Sequence, residues 1–249
     1  MSVDLPTPER ALAIAAHPDD VEFQCGATLA KWAEAGCEVH HLICTDGSKG
    51  TWDPHADLAR LVVTRQAEQR TAAARLGATG EVVFLGWPDG ELEAGLRQRW
   101  EIAYWIRHLR PDVVLGHDPW KRYRLHPDHR AAGLLACDGV VAARDPHFFP
   151  EQAIAHHRPS ALLLFEADKA DHLEVVTLAQ AEAKVTALLA HESQFETTMG
   201  ISRRPADGGG ATREVEQAAF HQRILDELAA AGAKRDVGLA ERFKLIADL

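Results

Sequence analysis

The stretch Ala11-Leu12-Ala13-Ile14-Ala15-Ala16-His17-Pro18-Asp19-Asp20 decides the fold. Leu12–Ala16 is a short apolar run that reads as a strand buried on both faces. It leads straight into an imidazole, a proline and two carboxylates. Working outward, Gly26–Ala35 reads as a helix stopped by Gly36, and Val39–Thr45 as a second strand. Thr64–Leu76 is helical with Gly77 at its C-terminal cap. Val82–Leu85 is a third strand, and Leu96–Leu109 is a helix ended by Arg110-Pro111. Val113–Gly116 is a fourth strand, followed by a helix from near His126. Leu162–Phe165 is a fifth strand, and Leu178–His191 is a further helix. Strands that alternate with helices of this length predict an α/β fold, a largely parallel sheet with helices on both faces. In such sheets the ligand crevice lies outside the C-terminal ends of the strands. Attention therefore falls on the residues after Ala16, Thr45, Leu85 and Gly116.

A chain of 249 residues suits one domain, 1–249, with a core over about 10–195. Arg203–Thr212, with Pro205 and Gly208-Gly209-Gly210, reads as a flexible loop. Beyond it Glu214–Ala231 and Leu239–Leu249 read as a helical C-terminal tail over about 214–249. The tail carries Phe220, Ile224 and Leu228 at i, i+4 and i+8. That stripe serves a homo-oligomer contact and packing on its own domain equally well.

With 27 Lys and Arg against 37 Asp and Glu, the net charge is −10. No basic footprint for nucleic acid or an anionic membrane is present. The first ten residues lack the basic and apolar regions of a signal peptide, and Ala11–Ala16 is far short of the ~20 residues of a membrane span. The four cysteines show no C-x-x-C spacing and read as buried thiols in a cytoplasmic protein. Fourteen histidines against four cysteines point any metal chemistry toward nitrogen and oxygen ligands.

Two segments carry that chemistry. His17-Pro18-Asp19-Asp20 follows the first strand. His126-Pro127-Asp128-His129 follows the fourth, with Pro127 suited to the first turn of a helix. His126 and His129 then share a helix face at i and i+3. A His, a carboxylate and a second His form a three-ligand set of the kind catalytic zinc uses with one open position. One aspartate of the pair can bind the metal while its neighbour acts as a general base. The same set suits Fe(II), so the metal's identity stays open at this point. His40-His41 and His156-His157 read as structural or solvated. His117 serves packing or support of the crevice equally well.

At this point the sequence resembles the PIG-L/LmbE-like family of zinc-dependent N-acetylglucosaminyl-type deacetylases. Residues 13–22 are similar to its first motif and 126–133 to its last. Arg65–Arg70, Leu85–Leu92 and Lys184–Gln194 are similar to the blocks between and after them, in order. The resemblance covers about residues 10–195. It implies a Rossmann-like fold and hydrolysis of an N-acetyl group on a small-molecule amino sugar. By the resemblance His17, Asp20 and His129 would ligate Zn2+, with Fe2+ or another divalent metal as alternatives. Asp19 would be the general base, and His126 as imidazolium would stabilise the oxyanion. Arg65 and Asp89 would contact sugar hydroxyls, with Asp46 a weaker candidate for the pocket wall. One departure stands out. Some members place a Tyr where this chain has Arg124, beside Tyr123. Arg124, with Lys121 and Arg122, makes a basic mouth that either recognises an anionic substrate or is a solvated loop. The alternatives are an amidase on a thiol conjugate or other N-acyl substrate, or a catalytically silent sugar-binding protein. A dinucleotide oxidoreductase is disfavoured, since the turn after the first strand is His17-Pro18-Asp19-Asp20, with no G-x-G-x-x-G.

Overall fold

The computed structural model describes residues 1–202 and 212–249. The expected loop at 203–212 falls, apart from Thr212, outside the described residues. The elements run β1 (Ser2–Val3), β2 (Arg10–Ala15), α1 (Asp20–Glu34), β3 (Glu38–Thr45), α2 (Leu58–Arg75), β4 (Val82–Trp87), α3 (Leu96–Leu109) and β5 (Val113–His117). They continue through α4 (Pro127–Arg144), β6 (Ala161–Phe165), β7 (His172–Val176), α5 (Leu178–Leu188), α6 (Arg213–Gly232) and β8 (Leu239–Ile246). The strands form one sheet in the order β1-β7-β8-β6-β5-β2-β3-β4. All pairings are parallel except those of β8.

The α/β expectation holds, and the opening stretch sits at its centre. Ala11, Ala13 and Ala15 face a core with Leu29 and Trp32 of α1. Leu12 and Ile14 face another with Ile102 and Ile106 of α3 and Leu135 of α4. Helices on both faces explain why β2 is continuously apolar. The chain leaves β2 for β3 and β4 on one side, then crosses to β5 on the other. The reversal opens a crevice beyond the C-terminal ends of β2 and β5, where the two histidine motifs begin. Two glycines let α4 come down onto this crevice. A Cβ on Gly133 would fall 2.5 Å from the His117 carbonyl oxygen, and one on Gly116 would fall 2.8 Å from Ala136 Cβ.

The tail needs a correction. Glu214–Ala231 is helical within α6, but Leu239–Ile246 is a strand, antiparallel to β6 and β7 and lying between them. Its composition of Leu, Ala, Glu, Arg and Lys favours helix, and tertiary pairing overrides that weak preference. Glu241 obscures the strand pattern because it is a buried charge. It accepts from Ala27 N–H at 3.2 Å and Thr28 N–H at 2.8 Å, and pairs with Lys184 Nζ at 2.6 Å. Those amides follow a break in α1 at Cys25, where φ is −145°. The break also explains the expected helix start at Gly26, since α1 begins six residues earlier with a separate first turn. The stripe Phe220, Ile224 and Leu228 is buried against Ala181, Val185 and Leu188 of α5, so packing on its own domain accounts for it.

Candidate active site

Asp19 ends the turn after β2 and caps α1 in the left-handed region, at φ 98° and ψ −27°. That conformation is strained for a non-glycine residue and persists only where surroundings hold it. Its N–H donates to Gln69 Oε1 at 2.9 Å. Its Oδ2 is buried without a hydrogen-bond partner, and the nearest cation, Arg65 Nη2, is 3.6 Å away. Burial pushes the Asp19 carboxyl up to about 6, with Arg65 working against the rise and Asp20 adding to it. A carboxylate near neutrality with an open oxygen is equipped to take a proton.

Asp20 is beside it in a different setting. Its Oδ2 accepts from His17 N–H at 2.8 Å. Its carboxylate lies 3.3 Å from His17 Nδ1, 3.4 Å from His117 Nε2 and 3.3 Å from His129 Nε2. Burial alone would raise this group, but His129 and His117 hold it well below the usual carboxylate range. Adjacent aspartates are thereby split into one anionic group and one poised group, the pattern expected of paired acid–base work.

His17, Asp20 and His129 each offer a ligand atom, and the three atoms lie within 4.8 Å of one another. Sets built on His17, Asp89 and His126, or on His117, His129 and Glu166, share members with the first. The first offers a divalent cation a carboxylate, Asp20, that lies within 3.4 Å of three imidazoles. Asp89 and Glu166 are otherwise engaged. Asp89 Oδ2 accepts from Lys49 N–H at 2.9 Å, and Glu166 Oε2 accepts from Arg124 Nη1 at 2.6 Å. His17 is also oriented for the task. Its Nε2 faces Asp128 Oδ2 and Asp89 Oδ1, both at 3.2 Å, which leaves Nδ1 on the Asp20 side. A carboxylate behind a ligating histidine fixes its tautomer and raises its basicity.

The cavity above these groups measures about 470 Å3. Seven residues expected from sequence line it: His17, Asp19, Asp20, Arg65, Asp89, His126 and His129. His126 precedes α4, and its ring lies 4.6 Å from that of His17 and 4.9 Å from that of His129. Burial, with His17 and His129 beside it, lowers its pKa. That direction works against the imidazolium expected from sequence. Arg65 is 3% exposed, which excludes an ordinary helix-surface role. It donates to the carbonyls of Gly47 at 2.8 Å and Pro18 at 2.6 Å. Asp46 is absent from the cavity wall. It instead accepts from Ser48 N–H at 2.9 Å and Asp89 N–H at 3.1 Å, holding the turn that carries Asp89.

Arg124 is the clear departure. It does not line the cavity; Nη1 donates to Glu166 Oε2 and lies 2.8 Å from His129 Nδ1. Lys121 pairs with Glu166 at 3.5 Å and Arg122 with Asp168 at 4.0 Å. Carboxylates thus answer the basic cluster from within the fold, and an anionic substrate loses its support. Tyr123 is 87% exposed and does not replace the expected donor.

Sequence reasoning left one contributor undecided and passed over three. His117 is fully buried between Asp20 and Glu166, in a supporting place that sequence left undecided. Asp128, inside the last motif, accepts from the amides of Gly90 at 2.6 Å and Leu92 at 3.2 Å as well as facing His17. Gln69 and Glu22 lie on helix faces whose only signal was polarity at buried positions. Among the described residues no helix is long and apolar enough to cross a membrane.

The profile of the family described as GlcNAc-PI de-N-acetylase (PIG-L) matches residues 12–139. The diacetylchitobiose deacetylase of Thermococcus kodakarensis is 35% identical over 190 residues, which cover 75% of this chain and 70% of that one. The 1D-myo-inositol 2-acetamido-2-deoxy-alpha-D-glucopyranoside deacetylase of Streptomyces avermitilis is 34% identical over 174 residues, covering 59% of this chain and 58% of that one. Among solved structures, an inhibitor complex of the N,N'-diacetylchitobiose deacetylase of Pyrococcus horikoshii superposes with a TM-score of 0.82 at 27% identity. It covers 96% of this chain and 84% of that one.

Proposed function

The chain belongs to the PIG-L family of GlcNAc-PI de-N-acetylases, and from that premise we propose that it hydrolyses the N-acetyl group of a GlcNAc-type amino sugar. The observation that carries this reading is the unpartnered Asp19 Oδ2 at a cavity wall shared with the His17, Asp20 and His129 donors.

In this reading His17, Asp20 and His129 hold one divalent cation, zinc by family resemblance. When bound, the cation supplies Lewis acidity toward the acetyl oxygen and the attacking water. Asp19 Oδ2 takes a proton from that water as its oxygen attacks the acetyl carbon. The C–N bond then breaks, and Asp19 returns the proton to the leaving nitrogen, releasing acetate and a free amine. His126 donates a ring N–H to the carbonyl oxygen as charge develops there. Arg65 keeps the Pro18 and Gly47 carbonyls in place beside Asp19, and Asp89 presents a carboxylate to the sugar. Arg124 acts through His129 and Glu166, away from the substrate.

The test is amine release from N-acetylated amino sugars by wild type and Asp19→Asn. The expected loss is on the order of 10²–10⁴-fold, with bound metal retained because Asp19 is not a ligand. Wild-type turnover in the variant overturns the reading.

A further inference from the structure

The cavity at Asp19 continues past one side chain. Thr51, Trp52 and Thr197 line it, and the same three residues line a second cleft of about 1080 Å3. Trp52 stands at the junction and is 81% exposed. Its loop is nonetheless anchored. Gln194 Nε2 donates to Gly50 O at 3.1 Å, Asp53 N–H donates to Thr51 Oγ1 at 3.1 Å, and His55 N–H donates to Asp53 Oδ1 at 2.9 Å. A large indole left bare on a tethered loop, between two connected hollows, is placed where a ligand would cover it.

Beyond Trp52 the walls turn polar, with Asp53, His55, Arg60, Thr64 and Ser193. With Asp57 and Glu196 the walls carry three carboxylates against the guanidinium of Arg60, a balance that disfavours an anionic ligand. An apolar aromatic face beside neutral and mixed-charge hydrogen-bonding groups matches a pyranose. The C–H face of the ring lies on the indole, and the hydroxyls reach the polar wall. We propose that Trp52 and the cleft behind it form a subsite for sugar rings that follow the reacting one. The preferred substrate class is then an N-acetylated oligosaccharide, with a free monosaccharide as the poorer substrate. This rests on the deacetylase reading above and adds to it a second place where substrate is chosen.

The test compares kcat/KM of the metal-loaded enzyme on N-acetylglucosamine, N,N'-diacetylchitobiose and N,N',N''-triacetylchitotriose. Wild type, Trp52→Ala and Trp52→Phe are measured. Wild type favours the trisaccharide over the monosaccharide, with the preference residing in KM. Trp52→Ala lowers that ratio about tenfold, and Trp52→Phe restores most of it. A ratio unchanged by Trp52→Ala, or no length preference in wild type, overturns the proposal. Binding is read separately, without turnover, on Asp19→Asn protein titrated with triacetylchitotriose in a calorimeter. Adding Trp52→Ala weakens Kd about tenfold if the subsite exists, and an equal Kd overturns it. Wild-type turnover by Asp19→Asn would instead strike the deacetylase reading, so the two failures are distinguishable.

Discussion

The amide of Asp19 donates to Gln69 Oε1 at 2.9 Å, and through that bond a strained residue at the cavity is tied to a network sealed from solvent. Gln69 is fully buried. Its Nε2 donates to Glu22 Oε1 at 2.7 Å and lies 3.1 Å from His41 Nδ1. Glu22 Oε2 in turn lies 3.3 Å from His191 Nε2. The amide oxygen must face Asp19 and the amide nitrogen Glu22, so the side chain has one workable orientation. It acts as a strut between α2, α1, β3 and the turn after α5.

Gln69→Met keeps the volume and removes both functions. It leaves the Asp19 N–H and a Glu22 oxygen without their partner, at a cost of about 1–3 kcal/mol each. The expected outcome is a lower urea midpoint together with a fall in kcat that exceeds any change in KM. Turnover equal to wild type would show that Asp19 keeps its conformation without the strut.

Asp19 also makes a statement about stability. Its carboxyl sits near 6 in the fold, above the ordinary 3.8. An unfolded chain therefore ionises this group first, and the fold is penalised increasingly as pH rises from about 4 to 6. Above that window the full penalty is present, roughly 3 kcal/mol for the metal-free protein as an upper figure. Asp19→Asn removes the charge and tolerates the left-handed backbone. Denaturation of metal-free samples should show the variant more stable than wild type at pH 7–8 and level with it at pH 4. Equal stability at both would contradict this origin of the raised carboxyl.

Asp128 supports the donor set from behind. It orients His17 and holds the Gly90 turn that carries Asp89. Asp128→Asn keeps the shape but weakens both acceptor roles. Metal affinity, read by competition with a chelator, should fall by about 10–100-fold, while the purified protein remains folded. Unchanged affinity would relegate Asp128 to holding the turn alone.

The last strand is the fourth place to test. Glu241 holds the broken region of α1 and neutralises Lys184, which also donates to Phe23 O at 2.7 Å. Glu241→Ala leaves a buried ammonium without its carboxylate and should cost about 3–5 kcal/mol. Pairing it with Lys184→Met should recover part of the loss, as measured by urea unfolding. If the single and double variants are equally unstable, the pair is not the source of the effect.

Much of the centre was legible because its signals are local. The apolar run of β2, the Pro127 start of α4 and the Gly77 stop after α2 each follow from residues adjacent in sequence. The strand β7 was hidden by His172 and Glu174, which are buried as a pair at 2.8 Å and so break the apolar pattern. Glu241 hid β8 in the same way. A charge reads as surface until its burial is known, and Glu241 finds its partner in Lys184, 57 residues back along the chain.

By itself the sequence determined that the chain is α/β and that two histidine motifs follow strands. Local patterning selects the elements, and the strand-end rule places the crevice. It also determined the donor types, since side-chain chemistry does not depend on context. Tertiary structure decided what each donor faces. It placed Asp128 and Asp89 behind His17, turned Arg124 onto Glu166 and away from the cavity, and left Asp19 Oδ2 open while ringing Asp20 with imidazoles. The reason is electrostatic. In a desolvated site a charge's behaviour is set by neighbours within a few ångströms, and those distances exist only once the sheet has brought distant segments together.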